Sequence, residues 1–174
     1  MRLFVALDLP DPVKDQLIAH SGGVSGARWQ ARDQLHLTLR FIGEVDRHQL
    51  RDVAAALAGI HHPGLSLALA GRGVFGKPGR PETLWVGVNP RKTLVTLHHK
   101  VEQALAGAGL EPDHRQYTPH VTLARLNGRA GPLHGFLEAP IAGQPFTVQD
   151  FCLFRSTLSH DGAVYDILER YPLD

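Results

Sequence analysis

The chain is poor in cysteine and has no long apolar run. Cys152 is the only cysteine among 174 residues, so no intrachain disulfide can form, which suits a reducing compartment. Asp8 and Pro10 interrupt the apolar N-terminal stretch before it could act as a signal peptide. No segment approaches the roughly 20 apolar residues that span a membrane. We therefore expect a soluble, cytoplasmic protein without a membrane partner.

A strong net charge is also missing. The formal charge is only +1, so no global electrostatic field points to a nucleic-acid partner. An apolar fraction of 43% and a charged fraction of 20% are typical of one ordinary globular domain of this length. The glycine-rich phosphate loop of doubly wound nucleotide-binding proteins is absent, because the segment Leu9–Pro12 (LPDP) follows the first predicted strand.

Two short segments of the chain are nearly identical, His36–Leu39 (HLTL) and His120–Leu123 (HVTL). In each segment the histidine and the threonine are two residues apart, so both lie on one face of a strand while the apolar residues point to the core. One such pair could arise by chance. A second copy 84 positions later predicts a duplicated scaffold that brings two imidazoles to one cleft.

The elements predicted around the two motifs repeat in the same order. Strand, helix and motif strand follow one another in both halves, and Val5 precedes His36 by 31 residues where Val86 precedes His120 by 34. The repeat predicts an α+β fold with two pseudo-symmetric antiparallel or mixed sheets, flanked by helices, and a cleft between them. The predicted elements are strands Leu3–Leu9, Leu35–Ile42, Leu65–Ala70, Thr83–Val88 and His120–Leu126, helices Asp11–His20, Arg47–Leu57 and Asn89–Ala106, and a terminal hairpin of Phe146–Phe154 and Ala163–Leu168.

The predicted domain organisation follows from the same repeat. A lobe of about 85 residues would be marginally stable alone, so the two halves should share a core. We expect a single domain over residues 1–174 made of two related lobes, about 1–72 with the C-terminal strands and about 82–145. The glycine- and proline-rich segment Gly73–Pro81 is predicted to be the loop that joins them.

Paired histidines and threonines suit acid–base chemistry on a phosphate. Histidine titrates near pH 6.5, so one imidazole can be neutral while its partner is charged at neutral pH. Opening a strained cyclic phosphodiester needs a base for water and an acid for the departing sugar oxygen. Thr38 and Thr122 can donate hydrogen bonds to the phosphate oxygens, where charge gathers in the transition state.

A metal site is the rival interpretation, because the chain has 11 histidines. The doublets at 61–62 and 98–99 diverge on a strand or helix and chelate poorly. The two motifs supply two imidazoles and no carboxylate or thiol, whereas catalytic zinc generally takes three protein ligands. We therefore expect no metal and no cofactor.

Two arginines follow the motifs at different spacings. On an ideal strand Arg40 shares the face of His36, while Arg125 faces away from His120. Arg125 reaches a phosphate only if the strand ends or bulges near Ala124. Several aromatic side chains are candidates for stacking a base, two of which (Phe41 and Trp85) are expected in the core; the candidates are Trp29, Phe41, Trp85 and Tyr117.

The motifs and their surroundings resemble the 2H phosphoesterase superfamily, specifically the bacterial and archaeal RNA 2',3'-cyclic phosphodiesterases, also called the LigT-like or 2'-5' RNA ligase family. The resemblance extends over essentially the whole chain. It is carried by the segments Arg2–Pro10, His36–Glu44, Arg80–Pro81 with Leu84–Trp85, Tyr117–Arg125, and Leu153–Ser156 followed by Gly162 and Tyr165.

The resemblance implies a bilobal fold whose cleft is floored by both motifs, and a set of roles. His36 would donate a proton to the leaving 3'-oxygen and His120 would accept one from water. Thr38 and Thr122 would bind the phosphate, and Arg125 matches the arginine associated with the substrate phosphate. The implied reaction is metal-independent opening of an RNA 2',3'-cyclic phosphate to a 2'-phosphate end.

The resemblance also implies RNA as the partner, with tRNA halves among the candidates, and the reverse joining of RNA through a 2'-5' bond. We expect a monomer. Two alternatives stay open at this stage: a non-catalytic module that binds RNA ends, and an esterase for small cyclic nucleotides or 2'-5' oligoadenylates. The spacing of the motifs does not by itself decide which histidine is the acid.

Overall fold

A computed structural model describes residues 1–174 and pairs all their strands into one antiparallel sheet. The strands are β1 (Arg2–Asp8), β2 (Ala27–Trp29), β3 (His36–Glu44), β4 (Leu65–Lys77), β5 (Arg80–Asn89), β6 (His120–Leu126), β7 (Phe146–Val148), β8 (Asp150–Ser159) and β9 (Gly162–Pro172). Their order is β7-β4-β5-β6-β3-β1-β8-β9, with β2 paired to β6. The helices are α1 (Asp11–Ala19), α2 (Arg47–Ala58), α3 (Arg91–Gly107) and α4 (His134–Glu138).

Successive side chains of the central strands point alternately to the two faces of the sheet. Odd-numbered residues of β1 and of the start of β3 enter the main core with the apolar residues of α2 and α3. The opposite face of β1 carries Phe4 and Ala6, which form a second, smaller cluster with Cys152 and Phe154. The motif side chains lie on this second face, away from the helices.

Local signals account for where the long helices begin. Asp46 caps α2, because its carboxylate accepts from the Gln49 amide at 2.8 Å while the Gln49 side chain accepts from the Asp46 amide at 2.9 Å. Prolines precede α1 and α3, where a missing amide hydrogen costs nothing. None of the helices combines the length and apolar composition that a membrane crossing requires.

The two motif strands have the same pairing pattern. His36 and Thr38 lie opposite Asp8 and Ala6 of β1, and His120 and Thr122 lie opposite Gly87 and Trp85 of β5. In each strand one extra residue then interrupts the register, directly after the threonine. Both motif strands therefore carry a β-bulge at the same place, which reverses the faces of the residues that follow.

A single residue pair, Leu37 with Val121, joins β3 to β6 at the centre of the sheet. On one side lie β1, β8 and β9, and on the other β5, β4 and β7. The lobe boundary expected near residue 72 falls inside β4, which pairs with β5 from Ala68 to Lys77 and so lies with the second half. The two expected sheets are thus halves of one continuous sheet, and every strand pair in it is antiparallel.

The prediction of a loop at Gly73–Pro81 is wrong, because this segment forms the closed end of the β4–β5 hairpin and is mostly strand. Lys77 pairs with Arg80, and only Pro78 and Gly79 turn the chain. Glycine at position 73 has a packing reason, since a Cβ there would overlap the Trp85 indole. Two of the glycines that suggested a loop, Gly73 and Gly76, make room for the neighbouring strand, and only Gly79 lies in the turn.

The α+β class and the terminal hairpin are confirmed, with β8 and β9 paired across Ser159 and Gly162. The first strand of the hairpin begins at Asp150, because Phe146–Val148 forms the separate strand β7 and pairs with β4. The short elements β2 and α4 and a 3₁₀ turn at Arg32–Gln34 were not predicted. Each has five residues or fewer, too short for a periodic pattern to be recognised.

Candidate active site

Both motifs open into one cavity of about 290 Å³, here called the motif cavity. Its walls include His36 and Thr38 from β3, His120 and Thr122 from β6, and Arg125. The structure therefore brings together all five side chains that the sequence singled out. They converge because β3 and β6 are neighbours at the centre of the sheet and carry their motifs on the same face.

The bulges in β3 and β6 determine which way the side chains of Arg40 and Arg125 point. Arg125 is the third residue after Thr122, and the extra residue in β6 returns its side chain to the face of the motif, where it lines the motif cavity. The expectation that Arg40 shares the face of His36 is wrong. The matching bulge in β3 turns Arg40 towards the helices, where it is 8% exposed and its Nε lies 2.9 Å from Glu102 Oε1 of α3.

The His36 imidazole is held from both sides. Its Nδ1 lies 2.8 Å from the Gln34 carbonyl oxygen, so Nδ1 carries the hydrogen and donates it there. The other ring nitrogen, Nε2, lies 3.0 Å from Thr38 Oγ1. Phe4 and Tyr165 pack on the ring, with centroid distances of 4.8 and 5.2 Å. This leaves Nε2 as the nitrogen available for a proton transfer.

The His120 imidazole repeats this arrangement. Its Nδ1 lies 2.6 Å from the carbonyl oxygen of Thr118, again the residue two positions earlier. Phe75 packs edge-on against the ring with a centroid distance of 4.8 Å, and Trp85 lies at 5.9 Å. Both histidines therefore use Nδ1 for anchoring, and in both the second nitrogen remains for chemistry.

The environment lowers the pKa of both histidines. Burial is the main cause for His36 and lowers its pKa from 6.5 to about 4, with further lowering by the charges of His120 and Arg125. Burial also lowers the pKa of His120, and Arg125 contributes in the same direction. The carbonyls that accept from Nδ1 oppose these shifts. Without a bound anion, both rings favour the neutral form.

A side-chain network supports the bulge in β3 from behind. The Tyr117 hydroxyl donates to the Thr38 carbonyl at 3.0 Å, and His98 Nδ1 lies 2.7 Å from the Leu39 carbonyl oxygen. The Tyr117 and His98 rings stack with a centroid distance of 4.1 Å and an interplanar angle of 4°. Burial raises the pKa of Tyr117, so the hydroxyl keeps its proton. Tyr117 thereby links the segment before the second motif to the strand of the first.

Several side chains that line the motif cavity were missed or misplaced by the sequence. Phe41, expected in the core, is 54% exposed and lines the motif cavity. Trp85 is half-buried behind His120, and Trp29 packs on Phe136 with a centroid distance of 6.0 Å. The unpredicted lining residues are Gln30, Gln34, Phe75, Thr83, Arg115 and Tyr165. They come from separate segments of the chain, and no local spacing connects them.

The histidine doublets do not form a chelating site. His98 is buried against the Leu39 carbonyl, whereas His99 is exposed. No group of three or more His, Cys, Asp or Glu side chains is arranged to hold a metal ion.

Comparison with known proteins identifies the family. The model of the 2'-5' RNA ligase superfamily matches residues 10–159. The chain belongs to this superfamily. The resemblance expected from the sequence is thus confirmed, and the matched residues include both motifs and the β4–β5 hairpin.

Similar proteins within the 2'-5' RNA ligase superfamily include two enzymes and a solved structure. The RNA 2',3'-cyclic phosphodiesterase of Archaeoglobus fulgidus is 30% identical over 177 residues, covering 98% of this chain and 99% of the relative. The enzyme of the same name from Escherichia coli is 30% identical, covering 99% and 96%. The crystal structure of E. coli LigT complexed with 3'-AMP matches with a TM-score of 0.80 at 29% identity, covering 99% and 97%.

Proposed function

We propose that this chain hydrolyses RNA 2',3'-cyclic phosphodiester ends to 2'-phosphomonoesters without a metal ion. The observation that carries the proposal is that two histidines, each anchored through Nδ1 to a carbonyl, line one cavity with two threonines and an arginine. Membership of the 2'-5' RNA ligase superfamily and the names of the relatives support the same reaction.

Each histidine has one proton to move in the proposed step. His120 Nε2 accepts a proton from water as the water oxygen forms a bond to phosphorus. The bond between phosphorus and the 3'-oxygen breaks, and protonated His36 gives its Nε2 proton to that oxygen. The products are a 2'-phosphate and a free 3'-hydroxyl, with a neutral His36 and a protonated His120 that exchange with solvent. The assignment of acid and base follows the family resemblance.

Three further side chains stabilise the charge on the phosphoryl oxygens. Thr122 has no hydrogen-bond partner within the protein, so its hydroxyl is available to a phosphate oxygen. Thr38 lies beside His36 Nε2 and can turn its hydroxyl to the phosphate once that nitrogen is protonated. Arg125 adds a positive charge and planar donors. A single preorganised donor of this kind is worth roughly 10²–10³ in rate.

Substrate binding itself prepares the acid. Burial is the main reason that the pKa of His36 lies at about 4, and the charges of His120 and Arg125 lower it further. A phosphodiester anion in the motif cavity counteracts both positive charges and favours a protonated imidazole. His36 therefore gains the proton that it later donates when the substrate enters the motif cavity.

The same geometry accommodates a 5'-hydroxyl in place of water. The hydroxyl oxygen would form the bond to phosphorus, His120 would take its proton, and the 3'-oxygen would leave with the proton of His36. The product is a 2'-5' phosphodiester, so ligation needs no additional group. RNA halves with a cyclic phosphate end, such as those of tRNA, are the proposed substrates in both directions.

We also propose that the chain is one domain of two related lobes and acts as a cytoplasmic monomer. The matching registers and bulges of the β1–β3 and β5–β6 pairs support the relation between the lobes. Placing the division between β3 and β6 assigns β4 and β7 to the second lobe. Each lobe then contributes one histidine and one threonine.

The decisive experiment incubates an RNA ending in a 2',3'-cyclic phosphate with the protein in excess chelator and identifies the isomer formed. Turnover to the 2'-phosphate is expected. His36→Ala and His120→Ala should each lower the rate by at least about 10². His48→Ala is the matched control, because His48 is exposed on α2 and lines none of the cavities described here.

Wild-type rates in either motif variant would contradict the proposed mechanism, and so would complete loss of activity in the chelator. Tight binding of the cyclic end with less than one turnover per molecule would instead identify a module that binds RNA ends. Circular dichroism and thermal unfolding of each variant separate loss of chemistry from loss of fold.

A further inference from the structure

A second cavity of about 540 Å³, here called the arginine groove, continues the motif cavity. Phe41, Arg115, Arg125 and Tyr165 line both spaces and so form their shared wall. Beyond that wall the arginine groove runs along the edge formed by Arg2, Gly43, Ser156 and Leu158. A molecule bound in the motif cavity can therefore extend into the arginine groove without leaving the surface.

The arginine groove concentrates positive charge. Arg2, Arg115 and Arg125 line it, and no aspartate or glutamate does. Arg2 and Arg125 take part in no ion pair. Arg115 is held in place by Asp113, whose Oδ2 lies 2.9 Å from its Nη2. This positive charge is local to the groove and is not a property of the whole chain, whose net charge is only +1. Guanidinium groups are suited to binding phosphate oxygens.

Exposed apolar side chains accompany these arginines. Phe41, on the shared wall, is 54% exposed, and Leu158 is 80% exposed. An exposed aromatic ring beside guanidinium groups is the combination that binds single-stranded nucleic acid, because the ring stacks a base while the arginines contact the backbone. Isolated anions such as inorganic phosphate would use the arginines and leave Phe41 and Leu158 in water.

The cavity on the other side of Arg125 is less suitable for a phosphate chain. It measures about 350 Å³ and contains Glu82 beside Arg80, with Asn127 at its margin. A carboxylate in the lining repels a phosphodiester at short range. Two further cavities share lining residues with the motif cavity, and they contain Asp113 in one case and Asp33 and Asp161 in the other. Of the four neighbouring cavities, only the arginine groove presents cations without a carboxylate.

We propose that the arginine groove binds the second nucleotide of the RNA end. The phosphodiester on the 5'-oxygen of the terminal ribose contacts Arg2 and Arg115, and a base stacks on Phe41. Arg125 remains with the reacting phosphate. The inference rests on the proposed function and narrows its substrate class: the preferred substrate is an oligonucleotide with a cyclic end, not a cyclic mononucleotide.

The test compares kcat/KM for a 2',3'-cyclic mononucleotide and for a dinucleotide with the same cyclic end. The wild-type protein should favour the dinucleotide by about ten-fold or more, the scale of one charge-assisted contact. Arg2→Gln should remove most of that preference and change the mononucleotide value by less than about two-fold, because Arg2 does not line the motif cavity. Arg51→Gln, an exposed arginine on α2, is the matched control and should change neither value.

Salt dependence gives a second readout of the same contact. The logarithm of the dinucleotide's kcat/KM should fall with the logarithm of salt concentration, and Arg2→Gln should reduce that slope by about 0.7. Equal wild-type values for both substrates would overturn the proposal. An Arg2→Gln variant that lowers both values equally would overturn it as well.

Equilibrium binding separates this proposal from the proposed function. The probes are a nucleoside 2'-phosphate and a dinucleotide that ends in a 2'-phosphate, neither of which needs turnover. Tighter binding of the dinucleotide that depends on Arg2 supports the arginine groove even if no cyclic end is hydrolysed. Hydrolysis of cyclic ends without a preference for the dinucleotide supports the proposed function and overturns the proposed role of the arginine groove.

Discussion

Phe41 and Arg125 occupy corresponding positions in the two motif strands, each three residues beyond the threonine of its motif. On a regular strand this spacing would turn both side chains to the opposite face. The bulge in each strand cancels that reversal, and both line the motif cavity. One geometric device, used twice, therefore supplies an aromatic wall on one side of the site and a cation on the other.

Because the two bulges place Arg125 in the motif cavity and Arg40 against α3, we expect substitution of these two arginines to have different effects. Arg125→Gln should lower kcat/KM by about 10² with a change in unfolding free energy within about 0.5 kcal/mol, because this side chain is exposed and makes no ion pair. Arg40→Gln should cost about 3–5 kcal/mol of unfolding free energy, since it leaves Glu102, only 17% exposed, without its cation. Urea unfolding and steady-state kinetics measure the two effects. Equal destabilisation by both changes would contradict the assignment.

The lowered pKa values of the histidines predict an acidic optimum for the free enzyme. The mechanism needs one proton shared between two rings, and this form predominates between the two apparent pKa values of the pair. Because the pKa of each ring lies below 6.5, with His36 at about 4, kcat/KM should peak below pH 6.5. The bound anion raises both values, so the kcat profile should lie at higher pH. A kcat/KM maximum above pH 7 would refute the prediction.

The pH dependence of the free energy of unfolding should report the same pKa shifts independently of catalysis. A histidine whose pKa is lower in the folded state binds its proton more tightly when unfolded. The free energy of unfolding should therefore decrease as pH falls from 6.5 towards 4. His36→Ala should flatten this dependence, whereas the exposed His48→Ala should leave it unchanged.

Tyr117 is predicted to be a positioning residue for Thr38. Tyr117→Phe removes the hydroxyl that donates to the Thr38 carbonyl and keeps the ring stacked on His98. We expect a loss of about 1 kcal/mol in unfolding free energy and a five- to ten-fold lower kcat with an almost unchanged KM. Tyr171→Phe is the matched control, because the Tyr171 hydroxyl donates to the Ala54 carbonyl at 3.2 Å, outside the motif cavity. If both variants lower kcat alike, Tyr117 has no specific role.

The two threonines should respond differently to substitution. Thr122→Val is expected to lower kcat by about 10² through loss of one phosphate donor, and Thr122→Ser should restore most of it. Thr38→Val also removes the hydroxyl 3.0 Å from His36 Nε2, so it should shift the pH profile in addition to lowering the rate. Rate profiles over pH 4–8 distinguish them. Identical profiles for the two valine variants would argue against the contact between Thr38 and His36.

The two-residue period was sufficient to predict that His36 and Thr38 share one face of their strand, and that His120 and Thr122 share one face of theirs. It also predicted the helices α1, α2 and α3, whose prolines, cap and apolar spacing are all local. The Gly73–Pro81 segment was mistaken for a loop because glycine has two uses. Here it makes room for the Trp85 indole, a neighbour that only the pairing of β4 with β5 provides.

The amino-acid sequence alone determined which chemistry the chain carries, since residue type and a two-residue period depend on nothing distant. The tertiary structure alone decided that Arg125 enters the motif cavity and Arg40 leaves it. It also decided that Phe41 is exposed and that Arg2 lies on a groove with Arg115. A bulge belongs to the register between two strands, and a cavity belongs to segments far apart in the chain. Neither the bulges nor the cavities can be predicted from the local order of residues.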